Sequence, residues 1–188
     1  MGSDNVQLKW QDILELANNY RLNRIEFWIN EVLFSLQWWI LLITSIGLIV
    51  IWIIVLDKAM VTEIVTYGLM VAMIANFADM TGLSLSLWGY PYNLMHTPEI
   101  IEIHNVMMPI IYMILYQYFR TWKSFIIANS INAIIFAFIL EPLLIWLGIY
   151  ELYHWNVIYS VIPYILIAVG LKWVIHRLKQ MDRHYPNE

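Results

Sequence analysis

The sequence contains no cysteine, which excludes disulfides, thiolate metal sites and cysteine nucleophiles and leaves any metal to His, Asp or Glu. It is also poor in charge. Only 13% of its 188 residues are Asp, Glu, Lys or Arg, against about 25% in an ordinary soluble domain. Neither sign dominates: 10 Lys and Arg stand against 14 Asp and Glu, for a net charge of -4. No nucleic-acid partner is expected from such a balance. The first 31 residues lack the basic start and short apolar core of a secretory signal, because Asp4, Asp12, Glu15, Glu26 and Glu31 accompany Lys9, Arg21 and Arg24. No cleaved signal is expected.

What fills the sequence is apolar. Hydrophobic residues make up 61% and the mean hydropathy is +0.65. Five stretches, 33–56, 60–86, 100–119, 124–147 and 155–178, reach the ~20 residues that cross a bilayer as a helix. The connections between them are short and leave no room for a second domain. Ahead of them, Trp10, Ile13, Leu14, Ala17, Ile25, Trp28 and Val32 recur mostly at spacings of three or four, which predicts an amphipathic helix over 7–31 lying on the membrane surface. The expected fold is an all-α, polytopic membrane helix bundle. It has five transmembrane helices in a domain over 33–178, an N-terminal amphipathic interfacial helix within 1–32, and a polar tail over 179–188.

Orientation follows from the basic residues of the short loops, which are retained on the cytoplasmic side. Lys58, Arg120, Lys123, Lys172, Arg177, Lys179 and Arg183 fall at one face; Lys9, Arg21 and Arg24 fall at the other. The C-terminus is therefore expected in the cytoplasm, with the connections 88–99 and 148–154 outside. Trp88, Tyr90, Tyr92, Tyr150, Tyr153 and Trp155 crowd the outer boundary, as rings do at headgroup level.

Ionisable side chains inside a span cost about 2.5 to 3.5 kcal/mol each, so they face the bundle interior and mark functional positions. Asp79, His104 and Glu141 are such residues, whereas Glu63 lies near Lys58 and reads as half of an interfacial pair. Gly68, Ala72, Ala75, Asp79, Gly82 and Ser86 form a small-residue stripe, as do Ser130, Ala137, Glu141 and Gly148. Small stripes allow close helix packing, so both acids should point inward. With a rise of 1.5 Å per residue, Asp79, His104 and Glu141 lie roughly 6 to 11 Å from the same boundary. A shared pocket follows, completed by Asn76, Asn105, Tyr112, Trp88 and Tyr150. Three readings remain open: a ligand, proton or ion site, a buried hydrogen-bond knot, and a divalent-ion site. The donors would suit the last of these chemically, but no paired His spacing accompanies them. No nucleophile elbow is present for Ser/His/Asp catalysis.

The runs from Asp79 to Tyr92, from Pro109 to Gln117, from Trp122 to Phe125 and from Glu141 to Tyr150 resemble an uncharacterised family of small multi-pass membrane proteins from Bacillus, Clostridium and their relatives. That resemblance implies a bacterial plasma membrane and brings no established activity. A second likeness is at motif level. Asp79-x6-Ser86-x-Trp88 and Glu141-x6-Gly148-x-Tyr150 share one frame, which suggests an internal repeat of two-helix units. The same frame resembles membrane lycopene cyclases and carotenoid hydratases, although the Pro-x-Glu-Glu run of the cyclases has no counterpart in Thr97-Pro98-Glu99-Ile100-Ile101-Glu102. This likeness implies acid-catalysed isoprenoid or lipid chemistry in the bilayer, with Asp79 and Glu141 as acids and His104 polarising one of them.

The sequence thus points to an integral membrane protein that binds a small or lipid-like ligand in an outward-facing polar pocket. Proton, cation or solute transport and a non-catalytic accessory subunit are the alternatives, and no cofactor is named. A reporter active only in the cytoplasm, fused after residue 188, is expected to be active. Activity only of an extracytoplasmic reporter would reverse the orientation.

Overall fold

Helix boundaries fall where the chain supplies a capping oxygen or loses a backbone donor. The computed structural model describes residues 2–184. Helix α1 (Gly2–Phe27) runs into a wide π turn at Trp28–Val32, and Phe34, at φ 63°, turns the chain. The Ser35 side chain then accepts from Trp38 N and opens α2 (Leu36–Val55). Asp57 caps a short 3₁₀ turn, Lys58–Met60, that leads into α3 (Val61–Ser84). Helix α4 (Met108–Tyr118) follows a π turn at Ile103–Met107. Thr121 caps α5 (Trp122–Ile135), which passes through a π turn, Phe136–Leu140, into α6 (Glu141–Trp146). Asn156 caps the 3₁₀ turn Val157–Ser160 that opens α7 (Val161–His184).

Two π turns have a common cause. Each is followed at the second position by proline, as Met108-Pro109 and Glu141-Pro142. Proline offers no N–H to the carbonyl four residues back, and its ring crowds that carbonyl. A wider turn relieves the crowding. The amide before each proline reaches back five residues, Met108 N to Ile103 O and Glu141 N to Phe136 O.

Among the described residues four helices are long and apolar enough to cross a membrane: Leu36–Val55, Lys58–Ser84, Trp122–Trp146 and Val157–Met181. The architecture is that of an all-α, multi-pass membrane protein. The fifth expected span, 100–119, is helical over 101–118 but falls outside that set. Glu102, His104, Asn105 and Gln117 dilute its apolar character, and much of its surface is covered by the bundle. Helix α3 packs on α4 and α7, α5 packs on α7, and α4 also meets α2. The core between them holds Ile64, Tyr67, Val71, Tyr112, Tyr116 and Phe125. Outward faces carry Ile43, Ile54, Leu69, Met73, Phe77, Trp146 and Ile162, all exposed, which is the reverse of a water-soluble surface. The side chains of α1 between Trp10 and Leu22 are likewise uncovered by the rest of the chain.

The predicted frame has a structural meaning. Helices α3 and α6 end in the same C-terminal motif, with Leu87 N on Gly82 O and Ser86 N on Leu83 O in one, and Ile149 N on Leu144 O and Gly148 N on Ile145 O in the other. The residue seven beyond each acid takes the left-handed conformation that this motif needs, Ser86 at φ 52° and Gly148 at φ 72°. Beyond these turns, β1 (Trp88–Gly89) pairs antiparallel with β2 (Glu151–Leu152), Trp88 opposite Leu152. The two connections are thereby stitched together at one end of the bundle.

Most of each small stripe faces inward, while Ser86, at the end of the first, is exposed. Gly68, Ala75, Asp79 and Gly82 are buried on α3, and Ala137 and Glu141 are buried on the chain from α5 to α6. The Trp88 ring occupies the space at Gly82, where a Cβ would stand 1.9 Å from Trp88 Cζ2; at Gly47 a Cβ would meet nothing within 4 Å. Gly82→Ala is therefore expected to destabilise the protein by about 1 to 3 kcal/mol, since Trp88 must shift. Gly47→Ala should be neutral or stabilising by up to ~1 kcal/mol. Thermal unfolding in detergent reads both, and equal melting of the two variants would refute the packing argument.

Candidate functional site

A carboxylate surrounded by hydrocarbon needs donors, and the chain returns two to Asp79 from the connection that follows its own helix. Trp88 Nε1 donates to Oδ1 at 2.9 Å and the Tyr90 hydroxyl donates to the same oxygen at 2.7 Å. Asp79 is 2% exposed. Its other oxygen, Oδ2, faces His104 Nδ1 at 3.5 Å, beyond ordinary hydrogen-bond length. Neither of those two atoms has a hydrogen-bond partner among the described residues. His104 sits in the π turn before α4, so the proline-driven widening of that helix sets the position of its ring.

Glu141 is held in the same manner by α7. The Tyr164 hydroxyl donates to Oε1 at 2.7 Å and the Ser160 hydroxyl to Oε2 at 3.2 Å, while Trp155 Nε1 donates to Ser160 Oγ at 3.1 Å. Glu141 is 6% exposed. The two halves meet through rings: Tyr90 stacks on Tyr150 with centroids 5.4 Å apart, and Trp88 meets Trp155 edge-on at 5.3 Å.

Between the halves lies a cavity of about 430 Å³ whose lining includes Asp79, His104, Glu141, Trp88, Tyr150 and Tyr164. Most of its wall is apolar. At one end Leu87, Trp88, Tyr90, Tyr150 and Trp155, from the stitched connections, contribute to it. At its side it is lined by Phe77, Ala78 and Thr81 of α3 and Pro163 of α7, and these four are exposed on the outer surface of the bundle. Phe77 is 74% exposed.

Five of the eight sequence-predicted site residues thus line one cavity: Asp79, His104, Glu141, Trp88 and Tyr150. Tyr112 does not. It is buried below, its hydroxyl donating to Tyr164 O at 3.0 Å, so it supports a residue that holds Glu141. Asn76 and Asn105 pair with each other through reciprocal amide bonds of 2.9 and 3.2 Å, and each also donates to the carbonyl four residues back, on Ala72 and Ile101. Each amide thus spends one N–H on its partner and the other on its own helix, and the pair clamps α3 to the start of the 101–118 helix outside the cavity. Glu63 also departs from expectation. It pairs with Lys179 at 2.5 Å and accepts from the Tyr116 hydroxyl, because α7 folds back beside α3 and brings a distant lysine nearer than sequence spacing suggests.

Sequence reading missed Tyr90, Ser160 and Tyr164. Tyr90 stands two residues beyond Trp88 and shared its signal; Ser160 and Tyr164 stand on a different helix from the acid they hold, and only their spacing of four marks a common face. Among the described residues no group of three or more His, Asp or Glu side chains is gathered as a metal ion would need. No family model, no curated protein and no solved structure matches the chain.

Trp88→Phe or Tyr90→Phe leaves Asp79 Oδ1 with one donor, and the double variant leaves it none. The double variant is expected to lose at least ~1 kcal/mol more than the sum of the singles, because a buried oxygen without a donor carries its full desolvation penalty. Additive losses in thermal or denaturant unfolding would show that these donors act independently of Asp79.

Proposed function

We propose that this protein binds a membrane-resident, lipid-like molecule whose apolar body lies in the cavity and whose polar end meets Asp79 and Glu141. The observation that carries this reading is the side of the cavity. Its flank is lined by residues that belong to the lipid-facing surface, while the stitched aromatic connections stand at its end. A ligand reaching it sideways must already be dissolved in hydrocarbon. Ligand sites are typically mostly apolar, with a few placed polar groups that fix orientation, and this wall has that character. The unpartnered pair Asp79 Oδ2 and His104 Nδ1 supplies an acceptor and a donor or acceptor for one polar ligand group between them. Isoprenoids belong to this class of ligand, and a proton held at Asp79 or Glu141 would be in place for acid chemistry on one.

In this reading the helix over 101–118 is a fifth crossing. At 1.5 Å per residue it spans about 27 Å, close to a hydrocarbon thickness of about 30 Å. Its ends also lie apart: His104 stands beside Asp79, while Gln117 Nε2 donates to Val55 O and Gln117 Oε1 accepts from Asp57 N at the turn between α2 and α3. Helix α1 then rests on the surface, tied by Arg24 to the carbonyls of Tyr90, His96 and Thr97 and by Trp28 to that of Asn93. The reading keeps the protein in the plasma membrane with the C-terminus in the cytoplasm.

Photoactivatable geranylgeraniol, presented to the purified protein in lipid nanodiscs, is the probe. It is expected to crosslink to the segment 77–81, and Ala78→Trp should abolish the crosslink by filling the side opening. Asp79→Asn and Glu141→Gln preserve shape and should keep or raise thermal stability, since a costly buried charge is removed, while capture falls. Capture that survives Ala78→Trp, or isosteric variants that melt clearly lower and still capture the probe, would make the acids architectural and end this reading.

A further inference from the structure

At the opposite end of the bundle lies a second pocket, of about 400 Å³, that shares no residue with the first. Its wall contains Arg120, Lys172 and Lys179, with Glu63 as its one carboxylate, and His176 and Thr121 beside them. Three cations thus stand against Glu63 within the pocket and Asp57, which pairs with Arg120 at its edge. The level of the pocket is given by Lys172, which is 7% exposed and whose Nζ donates to the carbonyls of Phe119 and Arg120 at 2.9 and 3.0 Å. Those bonds tie α7 to the turn between α4 and α5 and set the pocket there, the level at which the spanning helix that begins with α5 enters the hydrocarbon. The Phe125 ring lies under the same ammonium, its centroid 3.9 Å away.

Lys172 is committed to that structural task and supplies field rather than contact. The other bases are held more loosely. Arg120 bonds Asp57 at 2.7 Å, and Lys179 bonds Glu63 at 2.5 Å, both pairs being part exposed. Partly solvated pairs of this kind are worth little, so an anion can recruit their remaining donors without a large cost. Thr121, whose hydroxyl is engaged in capping α5 through Ser124, places the N-terminus of that helix beside the pocket, and a helix N-terminus favours negative charge. Trp122 and Met60 supply an apolar side to the same pocket, and Ile126, one turn along α5 from Trp122, is exposed beyond it.

We propose that this pocket binds a phosphate group, and that the phosphate is the headgroup of an anionic phospholipid whose chains lie along the apolar side of α5. Arg120 and Lys179 contact the phosphate oxygens, Lys172 raises the potential from beneath, and Glu63 limits the affinity by its own charge. Basic pockets between spanning helices bind anionic headgroups by this combination.

The test uses the full chain in neutral detergent. Native mass spectrometry counts bound lipid during titration with phosphatidylglycerol or phosphatidylcholine, and thermal unfolding is followed with added inorganic phosphate. Phosphatidylglycerol is expected to bind in preference to phosphatidylcholine. Arg120→Gln and Lys179→Gln should each weaken it by about fivefold, Glu63→Gln should tighten it, and Lys9→Gln, outside the pocket, should leave it unchanged. Because each variant is compared with and without ligand, a general loss of stability does not imitate the result. Protection by inorganic phosphate that competes with phosphatidylglycerol and shows the same dependence on Arg120 and Lys179 would support the phosphate site and assign it to the free ion. Equal binding of the two lipids, an unchanged affinity in Arg120→Gln and Lys179→Gln, or a weaker one in Glu63→Gln would overturn the proposal.

Discussion

The Asp79 carboxylate is buried among aromatic rings and helix backbones, where an oxygen left without a donor carries a desolvation penalty. Trp88 Nε1 and the Tyr90 hydroxyl meet that demand at Oδ1, and in doing so they determine where the chain goes after α3. The connection cannot lift away into solvent without stripping the oxygen. Instead it folds over the helix end, seats the Trp88 ring on Gly82, and presents β1 to β2. The wall of the cavity is a consequence of that demand, as is the small residue at position 82.

Glu141 repeats the arrangement with other partners. Its donors come from α7 and the 3₁₀ turn that opens it, so that helix is pulled against α6 through Ser160 and Tyr164. The two acid-bearing helices nevertheless end alike, in a left-handed residue seven positions on. The helix that carries Glu141 and the helix that carries His104 each widen by one turn next to a proline. Repetition of a local device places two acids at one level of the bundle. Divergence of their partners makes the resulting cavity asymmetric, with an unpartnered acceptor at Asp79 and a satisfied carboxylate at Glu141.

The two ends of the bundle differ in the physical task they perform. At the aromatic end, rings and carbonyls from α1, the connections and the start of the 101–118 helix interlock, with Leu94 N donating to the buried Glu102 carboxylate and Arg24 gathering three backbone oxygens. At the basic end, side-chain cations close helix termini and pair across the turns. Lys172 shows the principle most directly, because its ammonium bonds the carbonyls of Phe119 and Arg120 in the turn that follows α4, while Arg120 Nε reaches back to Gln117 O in its last turn. A turn whose carbonyls have no backbone donor needs such a partner, and α7 provides it.

Composition and periodicity alone determined that the chain forms apolar helices, where most of them begin and end, and that Asp79 and Glu141 face inward. These follow from the cost of charge in hydrocarbon and from the 3.6-residue repeat, both of which act locally. The shared frame of acid, small residue and aromatic was equally legible, since a left-handed turn and its capping bonds involve only neighbouring residues. Tertiary structure decided the rest. Sequence spacing could not reveal that Asn76 and Asn105 satisfy each other outside the cavity, that Tyr112 supports Tyr164 rather than a ligand, or that Glu63 answers Lys179 instead of Lys58. Each of those pairings joins residues on separate helices, and which helices become neighbours depends on how every apolar face is shared out at once. For the same reason the exposure of Phe77, Ala78, Thr81 and Pro163 along one side of the cavity, and the gathering of three cations at the other end, belong to the packed bundle and to no single segment of it.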